Sequence, residues 1–202
     1  VSAQRAESRR KLGISPEVFM VVITGGSRGA RTINRAMISV HEHFKRDKGI
    51  CLYHITGNLE YDKIVRELGL TDGKSFGKGS RIIKYEYDMP AVLAAADLII
   101  CRAGAVSLAE LAARELPSIL IPYPYASGDH QTFNARVFVK AEAAKMIADK
   151  YVTEKELIQD INDFRHQPET LERMSEATKK IKKIYAGVDI AQLALEMTEN
   201  KK

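Results

Sequence analysis

From about residue 18, short apolar runs rich in β-branched residues alternate with longer stretches whose apolar positions recur every three to four residues. This alternation is typical of repeated strand and helix units on a parallel sheet. The short runs predict strands at residues 19–24, 51–56, 80–84, 97–101, 118–121 and 144–147. The periodic stretches predict helices at residues 30–44, 61–68, 89–95, 107–114 and 131–140. The pattern therefore indicates an α/β fold, a Rossmann-like doubly wound parallel sheet of about six strands.

Beyond residue 149 the strand pattern stops, and the apolar positions predict three consecutive helices. These helices are expected at residues 153–162, 168–185 and 189–199. Thr153 and Glu156 have the spacing of a capping box, and Pro168 suits the first turn of a helix. We therefore expect three parts: a helical lead-in at residues 1–17, a Rossmann-like domain at residues 18–150 and a helical tail at residues 151–202.

The composition fits one globular core and sets few limits on function. Of the 202 residues 45% are hydrophobic, and 31 Lys and Arg against 26 Asp and Glu give a formal net charge of +5. This mild excess favours an anionic ligand or a phospholipid surface and does not predict nucleic-acid binding. No apolar stretch reaches the ~18 residues typical of a membrane span, and no segment has the pattern of a signal peptide. The chain begins at Val1 with a charged, helix-like segment, as expected of a piece of a longer cytoplasmic protein.

The cysteine and histidine spacings do not predict a metal site. Cys51 and Cys101 lie far apart, each within an apolar run, and are expected to be buried, reduced thiols. His41 and His43 lie two positions apart on a predicted helix and therefore point in different directions. We expect neither a metal ion nor a cofactor.

A glycine-rich loop follows the first predicted strand and leads directly into a helix. Its sequence is Gly25-Gly26-Ser27-Arg28-Gly29. Glycines in such a loop adopt positive φ and let backbone N–H groups approach a phosphate, so the position favours an anion site over a simple tight turn. The same letters also suggest a short-chain dehydrogenase. Against that alternative, Arg31 stands where the last glycine of a dinucleotide loop is needed, and the second strand ends at Thr56 without an acid for a cofactor ribose.

A second strand-to-helix junction has similar chemistry. The apolar run at residues 97–101 ends in Arg102, turns at Gly104 and opens a helix, which again brings a helix N-terminus to the carboxyl edge of the sheet. Glu110 follows within that helix, where a carboxylate can accept hydrogen bonds from ribose hydroxyls. The alternatives are a solvent-facing Arg102 and a surface pair between Glu110 and Arg114.

Three motifs in order carry a resemblance to a known family. They are residues 24–30, residues 101–110, and residues 121–125 together with residues 129–135. This combination resembles the carboxyl-terminal half of the MurG family, transferases that add N-acetylglucosamine to the lipid-linked muramyl-pentapeptide precursor of bacterial peptidoglycan. The resemblance is close over residues 18–150 and looser over the tail.

The resemblance implies a role for each position in a site for UDP-N-acetylglucosamine. Ser27, with the backbone of Gly26, Arg28 and Gly29, is expected to hold the donor pyrophosphate. The nucleotide is expected to lie against Arg102, Gly104, Ala105, Val106 and Ser107, with Glu110 on the uridine ribose. Glu86 is expected to recognise the uracil edge through its main chain. His130 and Gln131 are expected to face the sugar, with Asn134 supporting their loop.

The resemblance also implies an activity and partners. The chain is expected to be the donor-binding domain of a two-domain GT-B glycosyltransferase that inverts the anomeric centre without a bound metal. Residues 1–17 would then lead in from an interdomain linker. An amino-terminal half is expected to bind the lipid-linked acceptor and to supply the general base, so this chain would contribute no catalytic residue. The whole protein is expected to lie at the cytoplasmic face of the plasma membrane.

Two other classes of protein stay open on the sequence alone. Another enzyme of this fold that uses a UDP-sugar, such as an epimerase, would keep the phosphate and uridine contacts and differ around His130 and Gln131. A nicotinamide-dependent oxidoreductase would instead bind NADPH; its Tyr-x-x-x-Lys pattern occurs only at Tyr151 and Lys155, at the start of the helical tail.

Overall fold

The computed structural model describes residues 2–70, 75–77 and 79–181, and these residues form one sheet flanked by helices. The strands are β1 (Phe19–Thr24), β2 (Ile50–Ile55), β3 (Ser75–Phe76), β4 (Ser80–Ile83), β5 (Leu98–Cys101), β6 (Ser118–Leu120) and β7 (Ala144–Met146). The helices are α1 (Ser2–Leu12), α2 (Arg31–Phe44), α3 (Tyr61–Glu67), α4 (Met89–Ala95), α5 (Ala105–Arg114), α6 (His130–Lys140), α7 (Glu154–His166) and α8 (Pro168–Lys180). Two 3-10 turns lie at Ser127–Asp129 and Asp149–Tyr151.

The strand order places the loops after β1 and β5 side by side. Across the sheet the order is β3-β4-β2-β1-β5-β6-β7, and all neighbours except β3 and β4 are parallel. The chain winds outward from β1 to β4 in one direction and from β5 to β7 in the other. The reversal between β1 and β5 is the topological switch point where open α/β sheets bind ligands, at the carboxyl ends of the strands.

Two apolar layers enclose the sheet, as the nearly continuous hydrophobic strands require. On one face, α2 and α7 pack through residues such as Ile33, Met37 and Leu157. On the other, α4, α5 and α6 pack through residues such as Val92 and Leu111. Helices on both faces confirm the predicted doubly wound architecture.

The helix at the start of the chain is fixed to the beginning of β5 by charge. Arg9 is 3% exposed, and its Nη2 donates to Asp97 Oδ2 at 2.6 Å. Arg5 donates to the other oxygen of the same carboxylate. Because Asp97 also accepts from the backbone N–H of Met20 at 2.7 Å, one carboxylate ties α1 to the two central strands.

The six predicted strands are confirmed, with ends that differ by at most one residue. A seventh strand, the two-residue antiparallel β3, was not predicted. Thr153 caps α7, since its Oγ1 accepts from the backbone N–H of Glu156 at 3.2 Å, which is one half of the predicted capping box. Pro168 occupies the first turn of α8. The helix predicted at residues 189–199 and the end of the one predicted at residues 168–185 lie outside the described residues.

Cys51 and Cys101 are free, buried thiols as expected, and burial raises their pKa values to about 11 and about 12. In the described part of the chain, no helix is long and apolar enough to cross a membrane.

Candidate functional site

A cavity of about 740 Å³ opens at the carboxyl edge of the sheet, over the switch point. It is bounded by the loops after β1, β2, β5, β6 and β7. The predicted site residues among those that line it are Gly26, Arg28, Gly29, Arg102, Gly104, Ser107 and Gln131. A pocket of this size is typical of small-molecule sites.

The loop after β1 is held so tightly that its glycines are required. A Cβ on Gly25 would lie 2.2 Å from the backbone nitrogen of Ala30. Gly29 has φ +80, and its Cβ would lie 2.1 Å from the carbonyl oxygen of Thr56. Gly57, in the segment after β2, packs against Gly29 just as closely, so the two turns are in direct backbone contact. The backbone N–H of Gly29 donates to Gly26 at 2.9 Å and closes the turn.

Helices α2 and α5 begin at this cavity. Ala30 caps α2 and Gly104 caps α5, neither with a side-chain hydrogen bond, and neither helix has an acidic residue in its first turn. The first N–H groups of an α-helix have no partner within the helix, and the helix dipole adds about half a positive charge at that end. Because residues of both first turns line the cavity, its floor favours an anion.

Arg102 is built into the wall of the cavity. Its Nη1 donates to the carbonyl oxygens of Ile121 at 3.0 Å and Pro122 at 3.2 Å, and pairs with Asp149 Oδ1 at 2.5 Å. Asp149 Oδ2 accepts from Thr32 Oγ1 at 2.9 Å, in the first turn of α2. Arg102 and Asp149 therefore join the ends of β5, β6 and β7 to α2. The alternative of a solvent-facing Arg102 is wrong, since its side chain is only 13% exposed.

The remaining charges at the cavity leave an excess of positive potential. Arg31 pairs with Glu60 at 3.4 Å, so both acids that line the cavity, Glu60 and Asp149, are neutralised by arginines. Arg28 also lines the cavity, and among the described residues it has no ion-pair partner. Together with the two helix ends, this arginine makes the cavity attractive to a diphosphate.

Gln131 and Asn134 connect α6 to the loop after β5. Gln131 lines the cavity, and its Oε1 accepts from the backbone N–H groups of Ala103 at 3.2 Å and Tyr123 at 2.9 Å, which leaves its Nε2 as a donor for a ligand. Asn134 Nδ2 donates to the carbonyl oxygen of Ala103 at 3.2 Å. His130 lies outside the lining residues, and its Nδ1 is 2.7 Å from the carbonyl oxygen of Ser127.

The side chain of Glu86 is occupied by the protein. Its Oε2 accepts from the Tyr53 hydroxyl at 2.6 Å and its Oε1 from the backbone N–H of Asp88 at 2.8 Å. Burial, and then the bond to Glu86, raises the pKa of the Tyr53 phenol. Both carboxylate oxygens of Glu86 are therefore already hydrogen-bonded within the protein.

Four other predicted site residues do not line the cavity: Ser27, Ala105, Val106 and Glu110. Glu110 is exposed on α5, and its alternative partner Arg114 instead donates to Gln4 at 2.6 Å. Sequence reasoning missed Asp149, Thr32 and Glu60, which line the cavity but belong to no recognisable motif. Among residues 2–70, 75–77 and 79–181, no three His, Cys, Asp or Glu side chains are grouped as metal ligands.

Comparison with known families gives one match that covers most of the chain. Residues 20–188 match the family described as "Glycosyltransferase family 28 C-terminal domain".

Curated relatives of the chain carry the name UDP-N-acetylglucosamine--N-acetylmuramyl-(pentapeptide) pyrophosphoryl-undecaprenol N-acetylglucosamine transferase, and two of them show the extent of the match. The protein from Desulforudis audaxviator is 40% identical over 184 residues, which cover 91% of this chain and 49% of the relative. The protein from Acetivibrio thermocellus is 35% identical over 201 residues, which cover 100% of this chain and 53% of the relative. The chain therefore spans about half the length of the curated relatives it matches.

Solved structures agree on the fold. MurG from Acinetobacter baumannii superposes with a TM-score of 0.77 at 23% identity, covering 95% of this chain and 53% of that one. A putative UDP-N-acetylglucosamine 2-epimerase from Listeria monocytogenes superposes with a TM-score of 0.67 at 13% identity, covering 92% and 46%. At these identities, the likeness supports the GT-B type of Rossmann-like fold alone.

Proposed function

Because the chain belongs to the family of glycosyltransferase family 28 C-terminal domains, we propose that it is the donor-binding half of an inverting glycosyltransferase. The proposed donor is UDP-N-acetylglucosamine, and the proposed acceptor of the whole protein is the lipid-linked muramyl-pentapeptide of peptidoglycan synthesis. The names of the 40% and 35% identical relatives support this choice of substrates. We expect this half to bind the donor without catalysing transfer.

The observation that carries the proposal is the cavity at the switch point, with two helix N-termini open toward it. The diphosphate is proposed to lie over the turn at residues 25–29 and the first turns of α2 and α5. Backbone N–H groups there, with Ser27 and Arg28, would bind its oxygens. Preorganised donors of this kind are worth more in a closed site than in water, because they need not reorient when charge develops.

The nucleoside is proposed to extend from the diphosphate toward β4 and α5. The free main chain of Glu86 would contact the uracil edge, since its carboxylate is already bound by Tyr53 and Asp88. Glu110, exposed one helix turn beyond Ser107, would accept from the ribose hydroxyls. Residues 104–107 would line the nucleotide between them.

The sugar is proposed to lie toward α6. Gln131 Nε2 would donate to a sugar hydroxyl, because Gln131 Oε1 is used by two backbone N–H groups. His130 would reach the sugar from the first position of α6, and Asn134 would fix the loop after β5 through Ala103.

In the proposed reaction an acceptor hydroxyl oxygen forms a bond to the anomeric carbon while the bond from that carbon to the diphosphate oxygen breaks. UDP leaves with the electron pair, and a base on the other half of the protein takes the hydroxyl proton. The negative charge that grows on the leaving diphosphate is stabilised by the two helix ends. These groups contribute to the rate only because they bind the departing UDP more strongly than the intact donor.

The remaining proposals concern partners and location. The relatives are about twice as long as this chain, which supports an amino-terminal half that holds the acceptor. The net charge of +5 suits a protein that works at the anionic cytoplasmic face of the plasma membrane.

A ligand panel tests the proposal. Thermal melts and calorimetric titrations are run with UDP-N-acetylglucosamine, UDP, UDP-glucose and NADPH. A ligand that binds only the folded chain stabilises it by ~2.7 kcal/mol at 100 times its Kd. We expect the first two ligands to raise the melting temperature and NADPH to leave it unchanged. Stabilisation by NADPH with no response to millimolar UDP contradicts the proposal, and a preference for UDP-glucose contradicts the choice of sugar.

A further inference from the structure

A line of buried polar side chains runs through the apolar layer beneath the cavity. Asn34 and His41 lie two turns apart on the buried face of α2, and His54 faces them from near the carboxyl end of β2. Asn34 and His54 are 0% exposed and His41 is 1% exposed. Buried polar groups carry a large desolvation cost, so three of them among isoleucines and valines need a specific reason.

The hydrogen bonds of these side chains lead toward the phosphate-binding turn. His41 Nε2 lies 3.2 Å from His54 Nδ1, and His54 Nε2 lies 3.0 Å from Asn34 Oδ1. Asn34 Nδ2 then donates to the carbonyl oxygen of Thr56 at 2.9 Å. That carbonyl is the atom against which Gly29 packs.

Chemistry fixes the direction of every bond in this line. Asn34 must present its amide nitrogen to Thr56, since two oxygens facing each other would repel. His54 must therefore carry its hydrogen on Nε2 to donate to Asn34 Oδ1, and its Nδ1 must accept from His41 Nε2. Burial lowers the pKa of His41 to about 3 and that of His54 well below its ordinary value, so both rings are neutral at working pH.

The segment after β2 in turn supports the phosphate-binding turn. Gly57 is in backbone contact with Arg28 and Gly29, and the N–H of Asn58 donates to the carbonyl oxygen of Ser27 at 3.1 Å. The turn thus rests on residues 56–58, and Asn34 fixes the carbonyl group of Thr56 at the start of that segment.

We propose that His41, His54 and Asn34 position the turn at residues 25–29, and that Asn34 and His54 are positioning residues for the donor diphosphate. The inference rests on the proposed donor site. Neither Asn34 nor His54 lines the cavity, and the loss of either side chain is expected to weaken binding of the diphosphate. Contacts to the nucleoside come from other loops and are independent of this line.

Five variants test the inference in the 202-residue chain. Asn34→Leu removes both polar atoms, and Asn34→Asp places an oxygen against the Thr56 carbonyl. His54→Phe removes the support of Asn34, whereas His54→Gln keeps an amide that can donate to it. The matched control is Thr178→Val in α8, which removes a buried hydroxyl that donates to Met174 at 2.7 Å, far along the chain from the cavity.

Calorimetric titration with UDP and with uridine separates positioning from general destabilisation. We expect Asn34→Leu, Asn34→Asp and His54→Phe to weaken UDP binding about five- to tenfold, the equivalent of one neutral hydrogen bond, while uridine binding stays within about twofold. His54→Gln should restore most of the UDP affinity lost in His54→Phe. Losses no larger than that of Thr178→Val overturn the inference, and so do equal losses for UDP and uridine.

Hydrogen exchange, measured without ligand, tests this inference independently of the proposed function. The N–H of Gly29 donates to Gly26 and closes the turn, so its hydrogen exchange reports the order of the turn. We expect faster exchange at Gly29 in the Asn34 variants than in Thr178→Val, and unchanged exchange overturns the inference. If the unaltered chain does not bind UDP, the proposed function fails and the exchange rates still decide. If an Asn34 variant does not fold, the two His54 variants decide.

Discussion

Replacing Gly57 by alanine should damage the donor site from outside the cavity. Gly57 has φ +81, and an added Cβ would lie 2.1 Å from the nitrogen and 2.4 Å from the Cα of Gly29. The first distance falls about 1.3 Å short of the 3.4 Å at which ordinary contact begins. Because the opposing atoms are backbone, the turn at residues 25–29 must move.

The chain offers a matched control for the conformational part of this effect. Gly69 ends α3 with φ +64, and an added Cβ there would meet nothing within 4 Å. Both substitutions incur about 1–2 kcal/mol for an L-residue in the left-handed region. Only Gly57→Ala adds overpacking, which costs about 1–3 kcal/mol more.

These energies set the expected melting temperatures and affinities. For a chain of this size each kcal/mol lowers the melting temperature by about 2–4 °C, so Gly69→Ala should lower it by roughly 2–8 °C and Gly57→Ala by roughly 4–20 °C. A displaced turn loses at least one charge-assisted hydrogen bond to the diphosphate, worth ~1.5–3 kcal/mol, so UDP affinity should fall about 10- to 100-fold in Gly57→Ala. Gly69→Ala should bind UDP like the unaltered chain.

Thermal melts and calorimetric titration of the folded variants give both quantities. Equal UDP affinities for Gly57→Ala and Gly69→Ala would refute the argument that backbone contact between the two turns sets the phosphate site.

Four further outcomes are expected. Glu110→Ala should lower UDP affinity by about one to two decades in calorimetry with little change in melting temperature, because its proposed partners are ribose hydroxyls; unchanged affinity makes Glu110 a surface residue. Gln131→Ala should lower the free energy of unfolding in urea by about 1–3 kcal/mol, since two backbone N–H groups lose their acceptor. The hydrogen bond from Arg165 lowers the pKa of Asp47 in the folded chain. The ion pair therefore stabilises the fold fully above the ordinary carboxyl pKa, and this stabilisation is lost as pH falls from there through the lowered pKa. Asp47→Asn should make the melting temperature less dependent on pH in this acidic range. The purified chain should form no product from the donor and a lipid-linked acceptor, with or without magnesium, because the acceptor is proposed to be held in line by the amino-terminal half. Donor-dependent product would show that this chain alone binds the acceptor and catalyses transfer.

The sheet was predictable because its central strands are long and buried. β1 and β2 each present six residues with no exposed position, and apolar runs of this short length that contain β-branched residues favour buried strands. β3 escaped because two residues carry no periodicity. Its pairing with β4 depends on the turn that joins them.

The residues that line the cavity were predictable only where one strand end carries the whole motif. Each of the loops after β1 and β5 is a short segment between a strand and a helix, so its glycines and the start of the helix could be identified together. Asp149 is different: it contacts Arg102 and Thr32 across 47 and 117 residues, and only the strand order brings these groups together. The contact that buried His41 makes was likewise not predictable from the sequence. His41 was expected only to diverge from His43, and its contact with His54 depends on how α2 packs on β2.

Among the described helices, α4 and α7 have side-chain caps, whereas α2 and α5 at the proposed diphosphate site, like α3, α6 and α8, have none. Asp88 caps α4 by accepting from Ala91, and Thr153 caps α7 by accepting from Glu156. At the cavity, α2 and α5 have no such cap, although a capping side chain is worth about 0.5–2 kcal/mol to a helix. A side-chain oxygen there would occupy the N–H groups that an anion needs. The missing stabilisation is what a diphosphate would restore on binding, so a ligand that fills both helix ends should stabilise the chain more than one that fills neither.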